Sequence, residues 1–198
     1  MRADLDIIAD WIEPESRVLD LGCGDGSLMA HLARERQVHG YGLEIDLQNI
    51  RACIRSGVNV IQTNLDKGLG DFDDNSFDYV IMTEALQVMR RPDLLVEDML
   101  RIGRRCLVTF PNFGHWRCRV GLGFRGRMPV SRTLPDAWYD TPNIHLCTVA
   151  DFESFCAARQ IQVLQRSVVD QNNRSPSSIR LLPNLFGEIA LYKLCRKS

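Results

Sequence analysis

This sequence predicts an α/β protein built on a doubly wound, mostly parallel sheet with helices on both faces, and three observations carry the prediction. Short apolar runs alternate with helical periodicities along the first 110 residues. The first run ends in a glycine loop, Gly22-Cys23-Gly24-Asp25-Gly26, that leads directly into a helical segment. The 198 residues, 45% hydrophobic and 25% charged, have the makeup of a soluble globular domain large enough to fold without a disulfide or metal staple. We read one domain over residues 1–198.

Leu5, Ile8, Ala9 and Ile12 recur at helical spacing and must stop before Pro14. Residues 17–21, Arg-Val-Leu-Asp-Leu, form a buried strand, followed by the glycine loop and a helix from Ser27 to about Glu35. Strand 38–43, helix 46–55 capped by Asp46, strand 58–62 and strand 78–82 continue the alternation. Asp93, behind Pro92, opens a helix over 93–102 whose inner face carries Leu95, Met99 and Ile102, and strand 105–110 follows. Residues 111–147, rich in Gly, Pro, Arg and aromatic side chains, show no periodicity and read as long functional loops. Thr148-x-x-Asp151 is a capping box that starts a helix to about Arg159. Strands at about 161–168 and 188–195 close the chain, separated by a polar, turn-rich segment from Asn172 to Pro183.

Composition excludes several classes. The longest apolar runs, such as Cys106–Phe110, fall far short of a membrane span, and the N-terminus carries Asp4, Asp6 and Asp10 where a secretory signal would be apolar. Seven cysteines, an odd number with no CxxC pair, fit reduced thiols and a cytoplasmic location. The net charge of −1 conceals a segregation: residues 1–98 hold nineteen acids against nine basic residues, and residues 99–198 hold six against fifteen. Met99–Pro135 contains eight arginines and no acid, which implies a polarised surface.

The glycine loop, D-x-G-x-G-x-G from Asp20, departs from the dinucleotide pattern G-x-G-x-x-G because its third glycine comes one residue early. Asp20 and Asp25 would also set two negative charges beside a pyrophosphate. An adenosine ligand without phosphate, bearing an amine and a sulfonium, would gain from the same carboxylates, and S-adenosylmethionine has that structure. Gly42-Leu43-Glu44-Ile45-Asp46 ends the second strand and places Glu44 twenty residues after Gly24, where an acid can accept both ribose hydroxyls. Asn64-Leu65, after the third strand, can meet the adenine edge, the side-chain amide both donating and accepting. Asp20, Gly22, Cys23, Gly24, Glu44, Ile45, Asn64, Leu65 and Thr83 are the expected ligand-binding residues.

This order of motifs resembles the class I S-adenosylmethionine-dependent methyltransferases, and Ser76-Phe77-Asp78-Tyr79-Val80-Ile81-Met82-Thr83 is similar to the strand that leads to their acceptor pocket. Phe77–Ile81, Phe110-Pro111-Asn112-Phe113-Gly114-His115-Trp116 and Trp138-Tyr139-Asp140-Thr141-Pro142-Asn143-Ile144-His145 narrow the resemblance to the bacterial methionine biosynthesis protein MetW family, along essentially the whole chain. That resemblance implies a seven-stranded Rossmann-like sheet with the last strand antiparallel. It also implies S-adenosylmethionine or S-adenosylhomocysteine as ligand, and association with a homoserine O-acyltransferase in methionine biosynthesis. Asn64 stands where an acid is commoner in methyltransferases.

Catalysis has a weaker signature. No Asn/Asp-Pro-Pro-Tyr follows the fourth strand, where Thr83-Glu84-Ala85-Leu86 stands, and no Pro-Cys pair exists, which disfavours base-amino and cytosine-C5 methyl transfer. His115, Tyr139 and His145 are the candidate catalytic groups, either histidine being able to act as a base near neutral pH. Their plainer role is to fix loop backbone by hydrogen bonds. His115-x-x-Cys118 and His145-x-Cys147 match no recognised metal pair, so no metal is expected. A methyltransferase acting on a small molecule needs both ligand and acceptor pockets, whereas an activator subunit needs only the first; the sequence leaves both open. Arg117, Arg119, Arg125 and Arg127, interleaved with Trp116, Cys118 and Val120, are expected to dock an acidic partner protein rather than nucleic acid or membrane.

Overall fold

The structure, a computed structural model, describes residues 3–131, 133–170, 172 and 174–197. Arg132, one of the eight arginines of the acid-free stretch, lies outside them.

Helix α1 (Ala3–Trp11) is followed by β1 (Arg17–Leu21), α2 (Ser27–Arg36), β2 (His39–Glu44), α3 (Leu47–Arg55), β3 (Val60–Gln62), β4 (Phe77–Thr83), α4 (Pro92–Ile102) and β5 (Gly103–Pro111). Then come α5 (Trp116–Arg125), α6 (Val149–Ala158), β6 (Ile161–Val169), α7 (Ser177–Leu181), α8 (Pro183–Phe186) and β7 (Ile189–Arg196). The strands form one seven-stranded sheet in the order β3-β2-β1-β4-β5-β7-β6. β1 to β5 pair in parallel, and β7 lies antiparallel between β5 and β6, so this is the class I methyltransferase-like, Rossmann-like architecture.

Alternate strand residues face opposite layers. Leu19, Leu21, Val80 and Met82 pack with Leu95, Val96, Met99, Phe152 and Cys156 of α4 and α6. Val18, Tyr79 and Ile81 pack with Ile8 of α1, Ile12 just after it, Leu28 and Leu32 of α2, and Cys53 of α3. Both faces of the sheet are therefore covered, as the near-continuous apolar strands require. The order reverses between β1 and β4, and the carboxyl ends of β1, β2 and β4 meet at that reversal.

Local capping sets several helix starts. Asp46 accepts from the Gln48 and Asn49 N–H groups, and Thr148 and Asp151 complete a reciprocal capping box. The expected start at Asp93 shifts back: Arg91 is the N-cap and Pro92 the first helical residue, where proline's fixed φ and missing N–H suit the first turn. Asp93, one residue in, accepts two hydrogen bonds from the Arg91 guanidinium, which hold its pKa at about 2.

Two stretches expected to be irregular contain helix. Trp116–Arg125 forms α5, although its two internal glycines are poor helix formers. The turn-rich segment before β7 holds the short helices α7 and α8. Cys118 is the one buried residue of α5, and its apolar residues Trp116, Cys118, Val120, Leu122 and Phe124 fall at every second position, a strand-like spacing that hides the helix.

Candidate functional site

The glycine loop is shaped by three left-handed residues, Gly22 (φ +70°), Gly24 (φ +56°) and Gly26 (φ +77°), a conformation that glycine adopts without a Cβ clash. The loop's N–H groups are turned inward. Those of Gly22 and Cys23 bond to the Leu43 carbonyl at 2.8 and 3.1 Å, that of Gly26 to the Cys23 carbonyl at 3.0 Å, and that of Ser27 to Asp25 Oδ1 at 3.0 Å. Gly24 N–H donates to Glu44 Oε2 at 2.9 Å. A phosphate-binding loop presents such donors to its anion, but here five are held by protein acceptors and a carboxylate sits on the first turn of α2.

Glu44 ends β2 and is only 8% exposed. Its other oxygen, Oε1, accepts from the Ile45 and Asp46 N–H groups at 2.7 and 2.9 Å. Three backbone donors thus hold one carboxylate at the mouth of the loop, which fixes its direction and leaves part of its acceptor capacity for a ligand. Asp20, at 1% exposure, lies beneath on β1.

Two thiols support the loop from below. Cys23 and Cys53 lie 3.8 Å apart, and Cys53 donates to the Gly24 carbonyl at 3.2 Å. Burial, then the charge of Asp20, pushes the Cys23 pKa far up, and burial raises that of Cys53, so both remain protonated. β2 can approach because residue 42 is glycine: a Cβ there would stand 2.3 Å from Cys23 Sγ. The Cys23 side chain thus packs against β2 and Cys53.

The other expected ligand residues follow at neighbouring strand ends. Ile45 is exposed just after β2, and Leu65 is buried after β3. Asn64 is exposed and its Oδ1 caps a 3-10 turn by accepting from Asp66 N–H at 3.0 Å. Thr83 closes β4, and Glu84 then takes φ +54°, a left-handed conformation unusual for a non-glycine residue. Both the carbonyl and Oγ1 of Thr109 accept from its N–H. Nothing in the local sequence signals this kink; it is imposed by β5.

Beyond β4, Gln87 is buried and donates through Nε2 to the Pro111 carbonyl at 3.2 Å. Its backbone carbonyl accepts from Ile144 and His145, and its Oε1 has no hydrogen-bond partner among the described residues. Asn112, 3% exposed, makes four bonds: Nδ2 to the Asn184 and Gly187 carbonyls, and Oδ1 from the Gly114 and Val149 N–H groups. Neither residue was singled out by spacing, because their partners are distant in sequence.

The three catalytic candidates are placed differently. His115 is buried at the N-cap of α5, and burial, then the Arg117 charge, lowers its pKa below the ordinary histidine value, so it is neutral at neutral pH. His145 is exposed, with Nε2 3.3 Å from the Arg90 carbonyl. Tyr139 is 77% exposed and edge-on to Trp138. Among the described residues no three His, Cys, Asp or Glu side chains are grouped to hold a metal, and no helix is long and apolar enough to cross a membrane.

The arginines of the acid-free stretch divide by partner. Arg101, Arg104 and Arg105 pair with Asp74, Asp78 and Glu13 of the acidic half. Arg119, one of the four expected to dock a partner, donates from Nε to the Gly114 carbonyl at 2.6 Å, tying α5 to its own entry turn. Arg117, Arg125 and Arg127 line one groove with Trp116, and Arg117 lies over the Trp116 ring.

A groove of about 770 Å³ lies at the opposite, amino end of the strands, lined by the starts of β1, β2 and β4 through Arg17, His39 and Phe77. No glycine-loop residue contributes to it, so the candidate site rests on loop chemistry rather than on cavity size.

Residues 2–194 match the family described as methionine biosynthesis protein MetW. A bifunctional methionine biosynthesis protein MetXA/MetW from Rhodopirellula baltica is 32% identical over 211 aligned residues, covering 100% of this chain and 33% of that protein. The chain therefore spans about a third of that relative's length. Among solved structures, an S-adenosylmethionine-dependent methyltransferase from Archaeoglobus fulgidus superposes with a TM-score of 0.67 at 16% identity, covering 98% of this chain and 91% of that one. The [4+2]-cyclase SpnF superposes at 0.70 with 17% identity, covering 98% and 81%. At these identities the two structures establish the shared fold, and one fold carrying two named activities leaves the chemistry to the site.

Proposed function

Because this chain belongs to the methionine biosynthesis protein MetW family, we propose that it binds S-adenosylmethionine or S-adenosylhomocysteine and acts as the partner or activator of a homoserine O-acyltransferase. The observation that carries the ligand reading is the inward turn of the glycine-loop N–H groups onto Leu43, Cys23, Asp25 and Glu44. A site whose donors are already taken and whose free edge is acidic suits a cationic adenosyl ligand and repels a pyrophosphate. In this reading Glu44 accepts the ribose hydroxyls, Ile45, Asn64 and Leu65 border the adenine, and Asp20, Gly22, Cys23, Gly24 and Thr83 surround the amino-acid end.

The partner reading is supported by the Rhodopirellula baltica relative, whose name joins MetXA to MetW in one polypeptide and of which this chain covers a third. Fusion raises the effective concentration of two units that act together. A ligand from the end of the methionine pathway, bound by a protein that contacts an early enzyme of the same pathway, also suits a report of methyl-donor status. Glu84 N–H bonds to Thr109, Gln87 Nε2 to the Pro111 carbonyl and Gly114 N–H to Asn112 Oδ1, three contacts that tie the segment after β4 and the entry to α5 to the end of β5. We propose that ligand occupancy alters partner affinity through them.

Isothermal calorimetry with S-adenosylmethionine, S-adenosylhomocysteine and NAD tests the ligand reading. One or both adenosyl ligands are expected to give saturable heats and NAD none. Saturable NAD binding without adenosyl binding would overturn it.

A further inference from the structure

We propose that the groove between α5 and residues 127–130 is the surface that receives the acyltransferase, taking an acidic patch with an apolar anchor at its centre; the assignment rests on the partner reading above. α5 buries Cys118 alone and offers its remaining faces to solvent. Beside it, Trp116, Arg117, Val120, Arg125, Arg127 and Val130 line a groove of about 520 Å³. Phe124, on the same helix, is 88% exposed, an unusual position for a phenylalanine with nothing to cover it.

The mixture of side chains selects the occupant. Exposed tryptophan and phenylalanine beside arginine have the composition of interface centres, where aromatic and arginine anchors dominate the binding energy. Charge then fixes the sign of the partner. Sequence 99–135 holds no carboxylate, and among the described residues Arg117, Arg125 and Arg127 make no salt bridge, whereas Arg101, Arg104 and Arg105 of the same stretch do. Three guanidinium groups left unneutralised around an apolar floor match carboxylates on the partner better than another basic or neutral surface. Arg119 is outside the docking set, since its guanidinium already holds the Gly114 carbonyl.

The experiment measures binding of purified homoserine O-acyltransferase to the full chain by biolayer interferometry at several salt concentrations. Phe124→Ala is expected to weaken association at least 10-fold, and the double variant Arg117→Glu/Arg125→Glu at least 100-fold, with melting temperatures unchanged because these side chains are exposed. Wild-type affinity should fall with added salt. The control pair Arg34→Glu/Arg55→Glu, on α2 and α3, makes the same change of net charge and should bind as wild type. If wild type binds and the α5 variants bind equally well, the surface assignment falls while the partner reading stands. If wild type does not bind, both fall. Variants that keep the acyltransferase but lose a single-stranded RNA oligonucleotide would make this a nucleic-acid surface and overturn the assignment.

Discussion

Glu44→Ala is expected to weaken S-adenosylmethionine binding by about 10- to 150-fold, the loss of two charge-assisted hydrogen bonds worth roughly 1.5–3 kcal/mol together after desolvation. The effect has a second component, because the carboxylate also accepts from Gly24, Ile45 and Asp46. Removing it leaves three donors at a partly buried loop, and water can replace only some of those bonds. The ligand-free protein should therefore lose about 1–3 kcal/mol of stability. Faster amide exchange at residues 22–26 and 44–46 would accompany it. Calorimetry measures the first component and denaturant unfolding the second. Unchanged affinity would show that the ribose is not held at the end of β2.

Asn112→Ala is the substitution with the largest expected cost to the fold. It removes four hydrogen bonds from a side chain that is 3% exposed and leaves two donors and two carbonyls without that partner. At about 1–3 kcal/mol for each buried group left unsatisfied, with partial relaxation, the loss is on the order of 4 kcal/mol. For a protein of this size that lowers the melting temperature by on the order of 10 °C. Asn112→Asp should not rescue it: the carboxylate accepts from Gly114 and Val149 but cannot donate to Asn184 and Gly187, and it buries a charge. Thermal unfolding of the three proteins decides the matter, and a loss for Asn112→Ala below about 1 kcal/mol would mean that the region does not depend on this hub.

The parts of the fold legible in the sequence are those decided by neighbours along the chain. β1 is read to the residue because Pro14 and the glycine loop bracket a short apolar run. The Asp46 cap and the Thr148–Asp151 box are visible because each bonds backbone within three residues. The twenty-residue separation of Gly24 and Glu44 is visible for a related reason, since one β-α-β unit fixes how far apart two adjacent strand ends fall, and these two residues do meet, at 2.9 Å. What escaped depends on distant chain. The apolar residues of α5 alternate along the sequence, a strand-like spacing, so no helical period announces it. Asn112 is bonded to residues 72 and 75 positions away, and Glu84 is kinked by a strand 25 positions away. The four arginines share one stretch of sequence, but only the structure shows that Arg119 turns back to Gly114 while the other three line a groove.

Coupling between a ligand site at the carboxyl ends of β1, β2 and β4 and a protein partner is read from the affinity of the chain for homoserine O-acyltransferase, measured ligand-free, with saturating S-adenosylmethionine and with saturating S-adenosylhomocysteine. Saturable association is expected, with a dissociation constant that shifts by roughly 5- to 150-fold with at least one ligand, the acyltransferase shifting ligand affinity by the same factor. No association in any condition, or one identical affinity in all three, would contradict this coupling.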